Sequence, residues 1–273
     1  MESYFFVPAS NTKFLERAKT LQSDYLILDL EDSVLTREVQ FAIDNIKSFE
    51  NKSRCFIRIP LKNEDTNFNV EIIRQLNNLN FHHFILPKIQ SEQELENLVL
   101  HIPDLFRHRQ ILLVEHPKLL LQLTSILTQY NFFGIAFGSH DYTSVMQMEH
   151  TSENLLWTKH YLLNHAKAFH MHCLDLASMN IRDEHLFQKE CQEAYHLGFD
   201  GKLIIHPMQL QVMNTAKFYS EEDLKLALHI RQKLKEVGGI ENYNIHVIEG
   251  KVIERPHLKK YLDILKKEGY ETI

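Results

Sequence analysis

Residues 134–176 read GIAFGSHDYTSVMQMEHTSENLLWTKHYLLNHAKAFHMHCLDL, and this segment shows a pattern that repeats along the chain. Two short apolar runs, residues 134–137 and 171–176, flank a longer segment, residues 151–169, with apolar residues at helical spacing. The expected apolar stripe of that helix consists of Leu155, Leu156, Leu162, Leu163 and Ala166. A strand, a helix and a second strand in this order are typical of a βα unit in a parallel sheet.

The same alternation extends over about the first 205 residues, with strands expected at residues 4–7, 24–30, 54–59, 83–86, 110–114, 134–137, 171–176 and 202–205. Several of these runs are almost entirely apolar, as parallel strands buried on both faces are. Eight successive βα units predict a single closed (β/α)8 TIM barrel of the α/β class. The alternative is an open doubly wound sheet, which usually has a glycine-rich turn after the first strand; here that turn reads VPASN.

The composition excludes several classes of protein. Of the 273 residues, 44% are hydrophobic and 24% charged, and the net charge is −6, so nucleic acid and anionic membranes are not expected as partners. No run of about 18 apolar residues predicts a membrane span. The start, MESYFFVPAS, lacks the features of a signal peptide. Three widely spaced cysteines, Cys55, Cys173 and Cys191, predict buried thiols and a reducing, cytoplasmic location.

The last 65 or so residues exceed what a barrel needs, so we expect the barrel over 1–208 and a C-terminal extension over 209–273. Ser220 and Asp223 form a helix-start signal, and Gly238-Gly239 would end that helix. Residues 246–253 are typical of a small hairpin, and a last helix is expected from about Pro256. An extension of this kind is expected to pack on the barrel or on a neighbouring subunit.

Polar residues follow the predicted strands at the end where barrel enzymes have their active sites. They include Asp29, Glu31, Asp32, Arg58, Lys88, Glu115, Gly138, Ser139, His140, Asp141, Asp175 and His206. Converging carboxylates repel each other unless a cation compensates them. Magnesium prefers oxygen ligands and often takes one or two protein carboxylates, so Glu115 and Asp141, from neighbouring strands, are the candidate ligands. Arg58 can bind a substrate carboxylate with two parallel hydrogen bonds.

Each of these residues also has a purely structural interpretation. Asp32 or Asp175 could cap a helix or form an ion pair, Arg58 could pair with Glu31, and Lys88 could be a solvated lysine. The histidine pairs match no zinc spacing. Strand-end charge by itself therefore predicts only a barrel with a polar mouth.

An ordered set of motifs adds a resemblance over nearly the whole chain. In chain order these motifs are FFVPAS, LILDLEDSV, FIRIP, FILPKIQ, LLVEHP, IAFGSHDY, LGFDGKLIIHPMQLQVMN and VIEGKVIERP. Together they resemble the citrate lyase β-subunit-like family, within the wider group of citramalyl- and malyl-CoA lyases and HpcH/HpaI-type aldolases. The closing motif is the most specific of the set.

The resemblance implies a magnesium-dependent carbon–carbon lyase. It acts on a 2-hydroxy acid thioester, such as citryl-, malyl- or citramalyl-CoA, and yields an oxo acid and an acyl thioester. Glu115 and Asp141 would hold magnesium, and Arg58 would bind the oxo-acid carboxylate. The main chain around Gly138 and Ser139, together with Lys88, would also contact the substrate.

The other expected roles, which are hypotheses about this chain, concern proton transfer and assembly. Glu31 and Asp32 would order metal-bound water, and one carboxylate would act as the base. Glu254, in the C-terminal hairpin, would protonate the enolate, and family members can deliver such an acid across a subunit contact. A homo-oligomer, trimeric or larger, is therefore expected.

The sequence departs from the family pattern at Ala9, Pro60, Gln90, Lys159 and Glu254, and no arginine precedes its first strand. These departures affect the acyl-carrier side of the expected site more than the metal side. They keep two alternatives open. One is an aldolase acting on free hydroxy-oxo acids, and the other is a non-catalytic homologue that binds an oxo acid.

Overall fold

The computed structural model describes residues 1–63 and 65–270, and it confirms the predicted (β/α)8 barrel. Eight parallel strands close in chain order, and β8 pairs with β1. The strands are β1 (Glu2–Pro8), β2 (Tyr25–Asp29), β3 (Cys55–Arg58), β4 (His83–Leu86), β5 (Arg109–Val114), β6 (Gly134–Phe137), β7 (His172–Asp175) and β8 (Gly201–Ile204).

Helices alternate with these strands along the chain. They are α1 (Thr12–Ala18), α2 (Val39–Lys47), α3 (Val70–Asn77), α4 (Glu92–His101), α5 (Pro117–Leu121), α6 (Leu123–Gln129), α7 (Ser139–Met146), α8 (Ser152–Ala168), α9 (Glu184–Leu197) and α10 (Pro207–Thr215). None of the described helices combines the length and apolar composition that crossing a bilayer requires.

The observed strand bounds lie within two residues of the expected ones. The largest difference is at β1, which begins at Glu2 because residues 2–5 pair with Gly201–Ile204 of β8. The helix α8 is also where the sequence placed it, and the Thr151 side chain accepts a hydrogen bond from the Asn154 amide at its start. Leu156 was wrongly assigned to the buried stripe: it is exposed, whereas the other four stripe residues are buried.

One residue or more from every strand fills the barrel interior. This interior cluster consists of Tyr4, Ile27, Phe56, Ile85, Ile111, Leu113, Ala136, Leu174 and Leu203. Because side chains alternate along a strand, their neighbours point outward to the helices. Cys55, Cys173 and Cys191 are buried free thiols, as predicted.

The outward layer contains a buried ion cluster around Asp175, so this residue forms ion pairs, one of the two structural roles considered for it, and does not line the barrel mouth. Asp175, at the end of β7, has Oδ2 at 2.7 Å from Nζ of Lys202 on β8 and Oδ1 at 2.9 Å from Nζ of Lys159 on α8. Asp175 and Lys202 are completely buried. The two ammonium groups hold the pKa of Asp175 below its usual range although burial opposes this, so the carboxylate is charged.

His83, at the amino-terminal end of the barrel strands, should make the stability of the fold depend on pH. The His83 ring stacks on Phe56, with centroids 4.9 Å apart, and burial, followed by the charge of Arg109, lowers the pKa of His83 below 6.5. Folding therefore favours the neutral ring. The folding stability that the neutral ring contributes is complete above about pH 6.5 and is lost as the pH falls through the lowered pKa of His83. In urea titrations from pH 8 to 5, His83→Phe should lose less stability on acidification than the wild type. Equal losses would contradict this assignment.

Contacts divide the chain into two compact units, Met1–Thr215 and Ala216–Ile273. The boundary lies after α10, not at 208/209, because α10 packs on α9 and β1 and so belongs to the barrel unit. The second unit contains α11 (Glu221–Val237), the antiparallel hairpin β9 (His246–Ile248) and β10 (Lys251–Ile253), and α12 (Arg255–Lys267). Ser220 and Asp223 form the expected capping box, and Gly238 ends α11 with a φ of +81°.

Candidate active site at the carboxyl ends of the strands

A cavity of about 360 Å³ opens at the carboxyl ends of the barrel strands. Six of the nine residues predicted to form the site line it: Asp32, Arg58, Glu115, Gly138, Ser139 and Asp141. The carboxyl group of Glu31 lies beside the Arg58 guanidinium, and the Lys88 ammonium forms an ion pair with Asp141. Glu254 lies in the second unit. The barrel unit thus brings eight of the nine together.

Arg58, at the end of β3, is held by several carboxylates. Its Nε and Nη2 each donate to Asp29 at 2.6 Å, and its Nη1 lies 2.8 Å from Asp32 Oδ2 and 3.2 Å from Glu31 Oε2. The sequence led us to expect that a substrate carboxylate accepts the paired hydrogen bonds of this guanidinium. In the structure Asp29 accepts them, because Asp29 and Arg58 are direct partners in the register of β2 and β3.

Glu31 and Asp32 have opposite pKa shifts. Burial raises the pKa of Glu31 to about 8. The charge of Arg58 opposes this shift, and the negative charge of Asp32 reinforces it. Burial also acts on Asp32, but the charges of Arg58 and Lys88 prevail and hold its pKa below the usual range. Near neutral pH this pair therefore contains one protonated and one ionised carboxyl group.

Glu115, after β5, is the most buried acid that lines the cavity apart from Asp29. Burial raises its pKa to about 7, although Lys88 opposes the shift, and its Oε1 accepts a hydrogen bond from the Lys88 amide. Gly138 makes room for it: a Cβ at position 138 would lie 2.7 Å from Glu115 Cβ and 2.8 Å from its Oε2. A larger residue would displace the carboxylate, so Gly138 serves the site by lacking a side chain.

Lys88 connects the two expected metal ligands. Its amide binds Glu115, and its ammonium contacts Asp141 Oδ2 and lies 3.5 Å from Asp32 Oδ1 and 3.8 Å from Glu31 Oε1. The backbone of Lys88 has a φ of +58°, which is uncommon for a residue other than glycine. This left-handed conformation directs the amide and the side chain to different acids.

Because the backbone of Lys88 is left-handed, two substitutions at this position should differ in their free energy of unfolding. Lys88→Asn and Lys88→Val both remove the ammonium, but asparagine tolerates the left-handed region and a β-branched valine does not. The valine variant should therefore have a free energy of unfolding about 1–2 kcal/mol lower than that of the asparagine variant. Chemical denaturation measures this difference. Equal stabilities would show that position 88 relaxes to another backbone conformation.

Asp141 and Ser139 belong to the first turn of α7, which starts directly after Gly138. The Asp141 side chain is half-buried. The Ser139 hydroxyl lies 2.8 Å from Nε2 of His150, and the ring of His150 stacks on His140 with centroids 4.2 Å apart. Burial, followed by the charge of His150, lowers the pKa of His140. His140 lines the cavity, as expected of a polar residue after β6. His150 was not predicted to take part, because nothing in the sequence places residue 150 beside residue 139.

Glu254 stands in the second unit, directly before α12. It is exposed, and its amide donates to Nδ1 of His257 at 3.0 Å. The position is compatible with an acid supplied to another surface, and its expected role in protonation stays a prediction.

The residues present fit a magnesium ion with few protein ligands. Among the described residues, no three His, Cys, Asp or Glu side chains converge as a complete metal cage. Magnesium usually keeps several waters and takes only one or two carboxylates, often with a substrate oxygen. Glu115 and Asp141 both line the cavity, and a cation beside Glu115 would offset the burial that raises its pKa.

Comparisons with known proteins identify relatives of this chain. A (3S)-malyl-CoA thioesterase of Cereibacter sphaeroides is 24% identical over 266 residues, covering 94% of this chain and 90% of the relative. The citrate lyase subunit beta of Leuconostoc mesenteroides subsp. cremoris is 24% identical over 277 residues, covering 96% and 91%.

Solved structures show the same fold. The protein CitE of Mycobacterium tuberculosis, in complex with magnesium, acetoacetate and coenzyme A, superposes with a TM-score of 0.82 at 22% identity and covers 98% of both chains. The family model described as HpcH/HpaI aldolase/citrate lyase matches residues 2–207, which is the barrel almost in full. The chain therefore belongs to the HpcH/HpaI aldolase/citrate lyase family.

Proposed function

We propose that this protein is a magnesium-dependent carbon–carbon lyase that cleaves a 2-hydroxy acid thioester, such as a citryl-, malyl- or citramalyl-CoA, into an oxo acid and an acyl thioester. The observation that carries the proposal is the meeting of Glu115, Asp141 and Arg58 at one cavity. The family consists of enzymes, and relatives are named citrate lyase subunit beta and (3S)-malyl-CoA thioesterase.

Glu115 and Asp141 would hold the metal. When bound there, magnesium lowers the pKa of the substrate hydroxyl and polarises the carbonyl that forms. Lys88 orients both acids, through its amide and its ammonium. Burial at Glu115 strengthens its interaction with a cation, because charges act over a lower dielectric there.

Arg58 and the start of α7 would bind the carboxylate of the substrate. Nη1 of Arg58 points towards Asp32, and Asp29 fixes the guanidinium plane on the other side. The first amides of α7, from Ser139 onward, have no partner within the helix and attract anions. This arrangement would hold the acid end of a substrate before any bond breaks.

Asp32 is the proposed base. It is ionised, its side chain is 52% exposed and it lines the cavity, so it can take the proton of the substrate hydroxyl. The electrons of that O–H bond form the carbonyl, the carbon–carbon bond breaks, and its electron pair becomes the enolate of the acyl thioester. Glu254, supplied by a partner subunit of a homo-oligomer, would protonate that enolate.

The experiment measures oxo-acid release from citramalyl-, malyl- and citryl-CoA, with magnesium and with EDTA. At least one thioester should be cleaved only with magnesium. Asp141→Asn should abolish this activity, whereas Asp104→Asn, at an exposed acid paired with Arg107 outside the cavity, should retain it. Release that persists in EDTA, or in Asp141→Asn, would refute the metal role. Faster cleavage of the free hydroxy acid than of its thioester would favour the aldolase alternative instead.

A further inference from the structure

His150 reaches the start of α7 from outside the cavity. It lies in the loop between α7 and α8, which begins at Gln147 with a left-handed φ of +52° and ends at Thr151, the N-cap of α8. Nε2 of His150 is 2.8 Å from the hydroxyl oxygen of Ser139, the first residue of α7. His150 is exposed and does not line the cavity, whereas Ser139 is buried and lines it.

A second contact holds the ring of His150 in place. This ring stacks on that of His140, with the centroids 4.2 Å apart and the planes only 4° from parallel. His140 lines the cavity, and the main chain of Ala177, in the loop after β7, lies beside its ring. Two flat rings in contact leave His150 few orientations, so its Nε2 stays directed at the Ser139 hydroxyl.

The direction of this hydrogen bond decides what the Ser139 hydroxyl can offer to a ligand. A hydroxyl has one proton to donate and two lone pairs that accept. If the proton goes to His150, only lone pairs are left for a ligand, and they repel a carboxylate. If His150 donates through its Nε2–H, the hydroxyl proton is left to bind a carboxylate. The neutral Nε2–H tautomer and the charged ring both provide this donor, so the arrangement does not depend on the charge of His150.

We propose that His150 is a positioning residue, which donates to the Ser139 hydroxyl and thereby directs the proton of Ser139 to the carboxylate of the oxo acid. This inference rests on the proposed function and adds to it a residue from outside the cavity. The hydroxyl joins the first amides of α7 in binding the acid. Because this carboxylate takes no part in the bond that breaks, the interaction is equal in the ground state and the transition state. Its loss should therefore raise the KM for the oxo acid and leave kcat unchanged.

Two substitutions of His150 separate the hydrogen bond from the stacking. His150→Phe keeps a flat ring against His140 and removes the donor, whereas His150→Gln keeps an N–H donor at the ε position and removes the ring. The assay follows magnesium-dependent condensation of acetyl-CoA with glyoxylate, pyruvate or oxaloacetate. For the acid that the wild type uses best, His150→Phe should raise the KM about 10-fold, as a contribution of about 1.4 kcal/mol would. The KM for acetyl-CoA and kcat should not change, and His150→Gln should keep most of the wild-type affinity.

His160→Phe is the matched control, because His160 is an exposed histidine of α8 that does not line the cavity. Ser139→Ala tests whether His150 acts through the hydroxyl. If it does, the double variant Ser139→Ala, His150→Phe should have the same KM as Ser139→Ala alone. Effects that add in the double variant would overturn the proposal, and so would an unchanged KM in His150→Phe.

Calorimetric binding of the same three oxo acids with magnesium separates this inference from the proposed function. Binding that His150→Phe weakens about 10-fold, without any condensation by the wild type, would support the role of His150 and count against the lyase function. Condensation that His150→Phe leaves unchanged would overturn the role of His150 and leave the lyase function standing. A wild type that binds none of the three acids would contradict both.

Discussion

Replacing Asp175 by alanine is expected to lower the free energy of unfolding by about 3–5 kcal/mol. Asp175 is completely buried between the ammonium groups of Lys159 and Lys202, and Lys202 is itself completely buried. Without the carboxylate, two like charges would remain close together away from water. Removing one partner of a buried ion pair is costly because the charge that remains is uncompensated. Urea denaturation at pH 7 measures the loss.

Two further variants separate charge from packing. Asp104→Ala removes an exposed carboxylate paired with Arg107 and should change stability by no more than about 0.5 kcal/mol. The combined variant Lys159→Met, Asp175→Leu and Lys202→Met removes all three charges, and it should recover most of the stability that Asp175→Ala loses. A loss below about 1 kcal/mol in Asp175→Ala would show that water reaches the cluster.

Replacing Glu115 by glutamine should reduce oxo-acid release by about 10³-fold, which corresponds to the several kcal/mol that a bound metal contributes to a transition state. Glutamine keeps the shape of the side chain and an oxygen that can accept the Lys88 hydrogen bond. It lacks the negative charge that the metal requires. The rate should be measured at several magnesium concentrations.

The glutamine variant should nevertheless fold as well as the wild type. Burial disfavours the charged form of Glu115, so a neutral amide at this position costs little. Thermal unfolding without magnesium is the control measurement. If Glu115→Gln is stable but retains more than about a tenth of the activity, with the same magnesium dependence, Glu115 does not hold the metal.

Much of the fold follows from local features of the sequence. Buried parallel strands are continuous apolar runs, and residues 83–86 and 134–137 match the observed strands in both bounds. The convergence of Arg58, Glu115 and Asp141 also follows, because the carboxyl ends of all barrel strands meet at one mouth.

Pairings between neighbouring strands could not be predicted in the same way. Asp29 faces Arg58, and Asp175 faces Lys202, because each pair is level in the register of adjacent parallel strands. A shift by one residue would reverse the direction of every side chain, and the sequence of a single strand does not contain that register. The pairing of Asp29 with Arg58 and the buried cluster around Asp175 both depend on this strand register.

Backbone geometry accounts for other features that the sequence did not predict. The left-handed conformation of Lys88 brings its amide to Glu115, although lysine has no preference for that conformation. Gly138 was expected to supply a main-chain contact, and its larger contribution is the space that Glu115 fills. Both features depend on the approach of β4, β5 and β6 to each other rather than on local sequence.

Diffraction from crystals soaked in manganese and pyruvate, with the anomalous signal recorded, locates a divalent cation directly. We expect one strong peak about 2.1 Å from a carboxylate oxygen of Glu115 and from one of Asp141, with oxygens of the oxo acid and of water molecules completing the coordination. A peak at other carboxylates, or none at these two acids at saturating manganese, would contradict the proposal that this barrel mouth performs metal-assisted carbon–carbon cleavage.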